Sequence, residues 1–451
     1  MPKRHGFSCQ RPELEALAQA ALERARRAGA SGCECDVSEG YGLSVTVRKA
    51  QPDTVEHNRD RSLGVSVYFG DRPKVRRGHA STSDFSTAAL EQTVDAALAI
   101  ARHTAEDDCA GLPDAELLAR EVPDLDLFHP WDISTEEAVD LAKRCEAAAF
   151  AVSKKISNSE GATVSAQQTQ FVSANSLGFR GGFPGSRHYL SCSVIAEDKG
   201  LMQRDDWYSA ARAPEELADP RALGRYAGQR TAARLGARKI ATGKAPVLFE
   251  APAAIGLIGH FVSAVSGGNL YRKTSFLLDS LGKEVFAPLV RIEERPLLPR
   301  GMASSAFDEE GVATRERAIV RDGVVEGYFL GTYAARKLGM QSTGSAGGHH
   351  NLVVESRGPD FAGMLKTMGR GLLVTELLGQ GVNQVTGDYS RGAAGYWVEG
   401  GEIAFPVEEI TIAGNLKDMF RGIAAIGSDV LVRSGRSCGS ILVENMTIAG
   451  E

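Results

Sequence analysis

A chain of 451 residues exceeds what one hydrophobic core usually organises, so two domains of ordinary size are expected and a single small module is excluded. The 43% hydrophobic and 24% charged fractions supply ample apolar surface to bury and exclude wholesale disorder. The formal charge is −6, and basic runs such as Arg24, Arg26 and Arg27, or Lys74, Arg76 and Arg77, are short and isolated; nucleic acid is therefore not an expected partner.

Seven cysteines, at positions 9, 33, 35, 109, 145, 192 and 438, are an odd and sparse set for so long a chain, so reduced thiols are expected. The stretch Met1 to Glu15 begins with basic residues, but Gln10, Arg11, Pro12 and Glu13 stand where a signal peptide needs apolar ones. The most apolar stretch, Ala251 to Val265, is too short to span a bilayer and contains His260. These features predict a cytoplasmic protein with no membrane segment.

From Pro12 to Ala28, Leu14, Leu17, Ala21, Leu22 and Ala25 recur at helical spacing. Cys35 to Arg48 and Ser62 to Phe69 then alternate apolar and polar residues, the period of half-buried strands. Helical spacing returns from Ser86 to His103, and a further helix opens at Ser134, whose spacing to Glu137 fits a capping box, and runs to about Lys155. Alternation resumes over Ala162 to Val172 and Tyr189 to Ala196, on either side of the turn-rich stretch Asn175 to Gly185. Two rounds of helix followed by strands suggest an internal duplication.

A last helix, introduced by Asp219 and Pro220, ends near Gly236, and the unpatterned stretch Lys239 to Lys244 marks the expected boundary. Beyond it glycines crowd in, and strand-like runs such as Val247 to Phe249, Ala318 to Val320, Ile403 to Val407 and Ile441 to Val443 dominate. The fold class expected is α+β: an amino-terminal α+β domain over 1–238, divisible near 115, followed by a mainly β domain over 239–451.

Gly243 and Lys244 do not complete a phosphate-binding loop, since Arg238 and Ala245 replace the required glycine and hydroxyl residue. Gly435 to Gly439 spells Gly-x-Ser-x-Gly, but a nucleophile elbow turns a strand into a helix, and strand-like Ile441 to Val443 follows instead. A catalytic zinc needs about three His, Cys, Asp or Glu ligands and an open position for water. The nine histidines are scattered and no His-Glu-x-x-His occurs. His260, on an apolar helix, is followed by Phe261, Val262, Ser263, Ala264, Val265 and Ser266, with no nearby glutamate to act as base, and reads as a core histidine. His349 and His350 are adjacent and would point to opposite sides of an extended chain, while Cys438 reads as a small buried cysteine that could otherwise supply a thiolate.

The blocks Tyr271 to Glu284 (YRKTSFLLDSLGKE), Tyr333 to Gly339 (YAARKLG), Leu373 to Gly381 (LVTELLGQG) and Gly387 to Met419 (GDYSRGAAGYWVEGGEIAFPVEEITIAGNLKDM) resemble the TldE, or PmbA, branch of the TldD/PmbA family. The likeness extends to Thr54 to Gly70 (TVEHNRDRSLGVSVYFG) and is nearly full length. It implies a heterodimeric protease in which the TldD subunit carries His-Glu-x-x-x-His plus a cysteine as zinc ligands, enclosing a channel for peptide or unfolded substrates. Family roles include maturing ribosomally made peptide antibiotics and clearing small labile proteins.

The segment before Tyr271, Arg272 and Lys273 resembles the place of the TldD zinc helix, yet only His260 remains there; Cys438 matches the third ligand position. One ligand does not hold zinc without the others. The resemblance therefore implies a chain with no catalytic or metal-binding residues of its own, zinc being supplied by a TldD-type partner. Candidate substrate-channel or partner contacts are His260, Arg272, Lys273, His349, His350, Asp388, Tyr389, Arg391 and Cys438. Asp388, Tyr389 and Arg391 stand in a glycine-rich run suited to a tight loop, either gripping peptide or partner or pinned by an Arg–Asp pair. Tyr396 and Trp397 read as core residues or interface anchors. The alternatives are an independent metallopeptidase with an atypical site built from His260, His349 or His350, and Cys438, or a non-enzymatic regulator. A homodimer is the alternative assembly.

Overall fold

In the computed structural model, which describes residues 6–451, the odd-numbered side chains Cys33, Cys35, Val37, Leu43, Val45 and Val47 are all buried, as are Leu63, Val65 and Val67. This alternation makes β1 (Gly32–Arg48) and β2 (Gln51–Phe69) a long antiparallel hairpin with one apolar face. Its two-residue turn places Lys49 and Ala50 at φ 50° and 60°, and the buried Glu146 carboxylate accepts both of their N–H groups at 2.8 Å. The strand β3 (Arg76–Thr82) adds outside β2, while α1 (Arg11–Arg27) and α2 (Thr87–His103) cover the first part of the apolar face.

The same order recurs with α3 (Thr135–Phe150), β4 (Ile156–Asn175), the two-residue β5 (Arg180–Gly181), β6 (Pro184–Asp198), β7 (Leu201–Ala211) and α4 (Pro220–Ala233). The sheet runs β3-β2-β1-β4-β6-β7, with β1 and β4 antiparallel at its centre. Each side is thus a helix, two long strands, a shorter strand and a helix. All four helices pack on the face that carries the odd-numbered side chains of β1; Leu43, Val45, Val47, Val164, Leu190 and Val194 form the core under α3 and α4. The capping box at Ser134 and Glu137 is present, and Asp219 caps α4.

The carboxy-terminal half starts with β8 (Gly243–Phe249), α5 (Ala251–Ala264) and α6 (Gly267–Tyr271). A small sheet in the order β11-β10-β9-β12-β17 joins β9 (Ile292–Glu294), β10 (Arg317–Arg321), β11 (Val324–Val325), β12 (Leu352–Val354) and β17 (Arg436–Ser437). Between these lie α7 (Thr332–Lys337) and α8 (Phe361–Met368). The larger sheet, β15-β14-β13-β8-β18-β16, takes β13 (Gly371–Leu378), β14 (Asp388–Glu399), β15 (Glu402–Asn415), β16 (Ile423–Ile426) and β18 (Ile441–Ala449), with α9 (Leu416–Arg421) after β15. Pairing of Thr411–Ala413 with residues 447–449 joins β15 to β18 and closes this sheet into a ring. Phe249, Phe261 and Phe420 are fully buried in its core, each contributing about 1.5–3 kcal/mol of burial. The chain is α+β with a mainly β carboxy-terminal half, and among the described residues no helix is long and apolar enough to cross a membrane.

Three elements differ from the sequence expectation. The strand β2 begins at Gln51 rather than Ser62, because Gln51–Ser62 is exposed on both faces and carries no apolar alternation, although it pairs with β1 throughout. The strand β7 has no sequence counterpart, since its amphipathic signal is broken by Arg204, Asp205 and Asp206. The glycine-rich run after Gly387 forms β14 and not a loop: only Gly387 has a positive φ (83°), whereas a Cβ on Gly395 would lie 1.9 Å from the Leu373 carbonyl. Its glycine serves close backbone approach.

Helices α3 and α4 also meet through a glycine, for a Cβ on Gly224 would lie 1.9 Å from the Cys145 carbonyl. Gly224→Val is expected to destabilise the protein by about 2–4 kcal/mol in urea unfolding. Gly256→Ala, on α5 with open space around it, is expected to be neutral or slightly stabilising in the same measurement.

Candidate functional site

The helix α5 starts directly after β8 and buries Ala254, Leu257, Ile258, Phe261 and Ala264, which leaves His260 on its half-buried flank. The Tyr389 ring of β14 meets the imidazole edge-on at 5.9 Å between centroids. Two residues on, and therefore on the same face of β14, stands Arg391, whose guanidinium contacts the Tyr389 phenol. Arg436 enters from β17, which pairs parallel with β12. Its Nη1 lies 3.5 Å from the Ile255 carbonyl, and a Cβ on Gly259 would come within 2.3 Å of the same nitrogen. Gly259 is thus what lets the guanidinium lie against α5 beside His260.

Burial first, then Arg391 and Arg436, pushes the His260 imidazole down to about 4, so it is neutral at ordinary pH. Burial and Arg436 also lower His349, whose Nδ1 is 2.5 Å from the His350 carbonyl oxygen. His350 turns into a separate network, its backbone N–H donating to Glu294 Oε1 at 2.8 Å while Arg317 binds Glu294 Oε2 at 2.7 Å. The structure therefore gathers His260, Tyr389 and Arg391 around α5, with His349 on the far side of Arg436, and places His350 elsewhere.

Arg272 is exposed and stacks on Tyr271; its Nη2 would be 2.9 Å from a Cβ on Gly268, at the rim of a cleft. Lys273 follows α6 with φ 58° and is exposed. The Asp388 carboxylate accepts from Thr386 Oγ1 at 2.6 Å and Asn415 Nδ2 at 3.2 Å, so the Arg–Asp pair considered above does not form. Asp388 and Arg391, three residues apart in a strand, face opposite sides. Tyr396 is buried under α8 with Met364 and Leu365, and Trp397 is half-buried with its indole N–H on Glu399.

Cys438 is 1% exposed, and burial next to Asp429 holds its thiol protonated. Zinc does not fit here: the only imidazole on α5 has no carboxylate after it, and two guanidinium groups would repel a dication. Among the described residues, the one trio of potential ligands with atoms within 4.8 Å of each other is Asp107, Asp108 and Cys109. That trio is engaged already, by the Tyr333 hydroxyl on Asp107 and Lys337 Nζ on Asp108, both at 2.8 Å.

Between the halves runs a cleft of about 1070 Å³, lined by Glu34, Asp36, Tyr68 and Arg77 from the even face of the amino-terminal sheet and by Gly267, Gly268, Glu309, Glu310 and Tyr333 from the other half. It continues into a smaller space of about 400 Å³ beside Phe171, Phe183, Phe307, Arg212, His349 and His350. Sequence reasoning passed over Arg436 and the paired acids Glu309 and Glu310. The clue to Arg436 was its place in the Gly435 to Gly439 run, which a nucleophile search dismissed.

This two-part α+β scaffold is that of a metallopeptidase class. Models of the PmbA/TldA metallopeptidase match in three pieces: domain 1 over residues 33–101, the central domain over 128–235 and the C-terminal domain over 242–450. The metalloprotease PmbA of Escherichia coli O157:H7 is 50% identical over 442 residues, covering 98% of this chain and 97% of that one. The chain belongs to the PmbA/TldD metallopeptidase family. A crystal structure from Bacteroides thetaiotaomicron, described as a modulator of DNA gyrase, superposes with a TM-score of 0.91 at 25% identity, covering 97% and 99% of the two chains. TldE from Thermococcus kodakarensis shares the fold, with a TM-score of 0.82 at 18% identity and coverage of 97% and 100%.

The lowered His260 and His349 values, together with that of buried His188, have one consequence for stability. Unfolded histidines take up protons below about 6.5, whereas the folded ones resist until lower pH. Their stabilising contribution is complete above about pH 6.5 and falls as pH drops toward 4. Thermal unfolding is expected to occur at lower temperature at pH 5 than at pH 7, with a shallower dependence in His260→Gln. In NMR titration the His260 ring is expected to stay neutral through pH 5.5.

Proposed function

We propose that this chain is the TldE-type subunit of a TldD/TldE peptidase: it lacks a zinc of its own, completes the substrate channel and holds a TldD-type partner in its active arrangement. The single observation that supports this most is the α5 flank, where one neutral imidazole stands near Arg391 and Arg436 and no carboxylate follows it on the helix to serve as general base. The TldE-like fold and the metalloprotease relatives support the same reading. In it, extended peptides or unfolded small proteins lie along the cleft between the halves, and the partner supplies zinc and activates the water. Free cysteines throughout the described chain accord with a cytoplasmic setting.

Elemental analysis of the purified chain is expected to find well under one zinc per chain. Alone it should leave unfolded peptides intact, and with a TldD-type chain it should co-elute in size-exclusion chromatography and give chelator-sensitive cleavage. One zinc per chain with cleavage by this chain alone would falsify the assignment. Failure to associate with any TldD-type chain would instead favour a stand-alone regulator.

A further inference from the structure

The two arginines that exclude a metal from α5 are themselves without counter-ions. Among the described residues neither Arg391 nor Arg436 has an acidic partner within salt-bridge distance, although both are half-buried. Besides its contact with the Tyr389 phenol, the Arg391 guanidinium reaches the Leu377 carbonyl at 3.4 Å, and its Nε is buried with no acceptor. Arg436 has only the long contact to the Ile255 carbonyl. Other buried guanidinium groups are satisfied, Arg230 by Glu250 and Arg317 by Glu294, both at 2.7 Å, and Arg212 by the Ser186 and Met302 carbonyls at 3.0 Å. Guanidinium groups partly withdrawn from water with donors left unmatched favour an anion, and here two of them stand beside one imidazole.

We propose that Arg391 and Arg436, both beside His260, form a carboxylate-binding site that takes the terminal or side-chain carboxylate of a bound peptide. The planar guanidinium offers parallel N–H donors that match the two carboxylate oxygens, which a lysine ammonium would not do. Neutral His260 can donate a ring N–H without adding charge, and the Tyr389 hydroxyl lies beside Arg391. Gly259 leaves the room that lets the Arg436 guanidinium lie against the helix. The site depends on the peptide-handling role proposed above. Its binding, however, is measurable on this chain alone, so a failed carboxylate test leaves the TldD partnership untouched, and a failed partnership leaves the carboxylate result standing.

The test is isothermal titration calorimetry of the full chain with a short N-acetylated alanine peptide in three forms: free acid, carboxy-terminal amide, and amide with one internal glutamate. The free acid is expected to bind at least about tenfold more tightly than the plain amide. Tight binding of the glutamate-containing amide equally supports the site and assigns it to side-chain carboxylates. Arg436→Met is expected to abolish the preference. Gly259→Ala, which keeps both charges but displaces the Arg436 guanidinium, is expected to weaken it, with thermal unfolding as the check on folding. Equal binding of all three peptides, no binding of any, or an undiminished preference in folded Arg436→Met would overturn the proposal.

Discussion

A buried ionic junction sets the geometry on which the rest of the molecule depends. Arg230 of α4 grips Glu250 through two bonds of 2.7 and 3.2 Å, Asp205 of β7 lies 3.4 Å from the same guanidinium, and Arg234 binds Glu376 of β13. Arg433 stacks 3.9 Å above Trp207 and 4.5 Å from Tyr208, extending the junction. These side chains belong to both halves of the protein, and Glu250 stands immediately before α5. Charges removed from water tolerate few arrangements, because every alternative leaves one of them unmatched. The helix that carries His260 is thereby oriented by residues of the amino-terminal half.

The second constraint is the two-faced sheet. Its odd face is apolar and covered by four helices, which leaves the even face, with Glu34, Asp36 and Ser38, to look across at Glu309 and Glu310. Arg336 closes one end of this arrangement by donating to the Gly111 and Leu112 carbonyls at 3.2 and 2.7 Å, and the Phe171, Phe183 and Phe307 rings pack together at the other. A polar strip that would otherwise face bulk solvent becomes the wall of a cleft. Function is in this sense a by-product of sheet alternation combined with a docked second half.

Where burial is one-sided the chain announced its structure. Helices α1, α2 and α3 and the apolar parts of β1 and β4 follow from residue spacing, because each has one dry face and one wet face. The outer part of β2 has two wet faces and the strand β14 has glycines where side chains would report a period, so neither carried a usable signal. The candidate site was legible only in its residue types. His260, Tyr389 and Arg391 were marked by the family likeness, but Arg436 comes to them from a distant segment, and no local pattern links residue 436 to residue 260.

The closed ring of the carboxy-terminal half has β18 seated between β8 and β16 while also touching β15. The first strand of that ring, β8, therefore waits for a neighbour made almost two hundred residues later. A nascent chain on the ribosome can shape the helices and hairpins of its leading half early, and β13 can pair with one flank of β8, but the other flank stays unpaired until β18 has been made. That interval is when the polypeptide is most open to aggregation and most in need of a chaperone, and it ends only when the final strand slides into place.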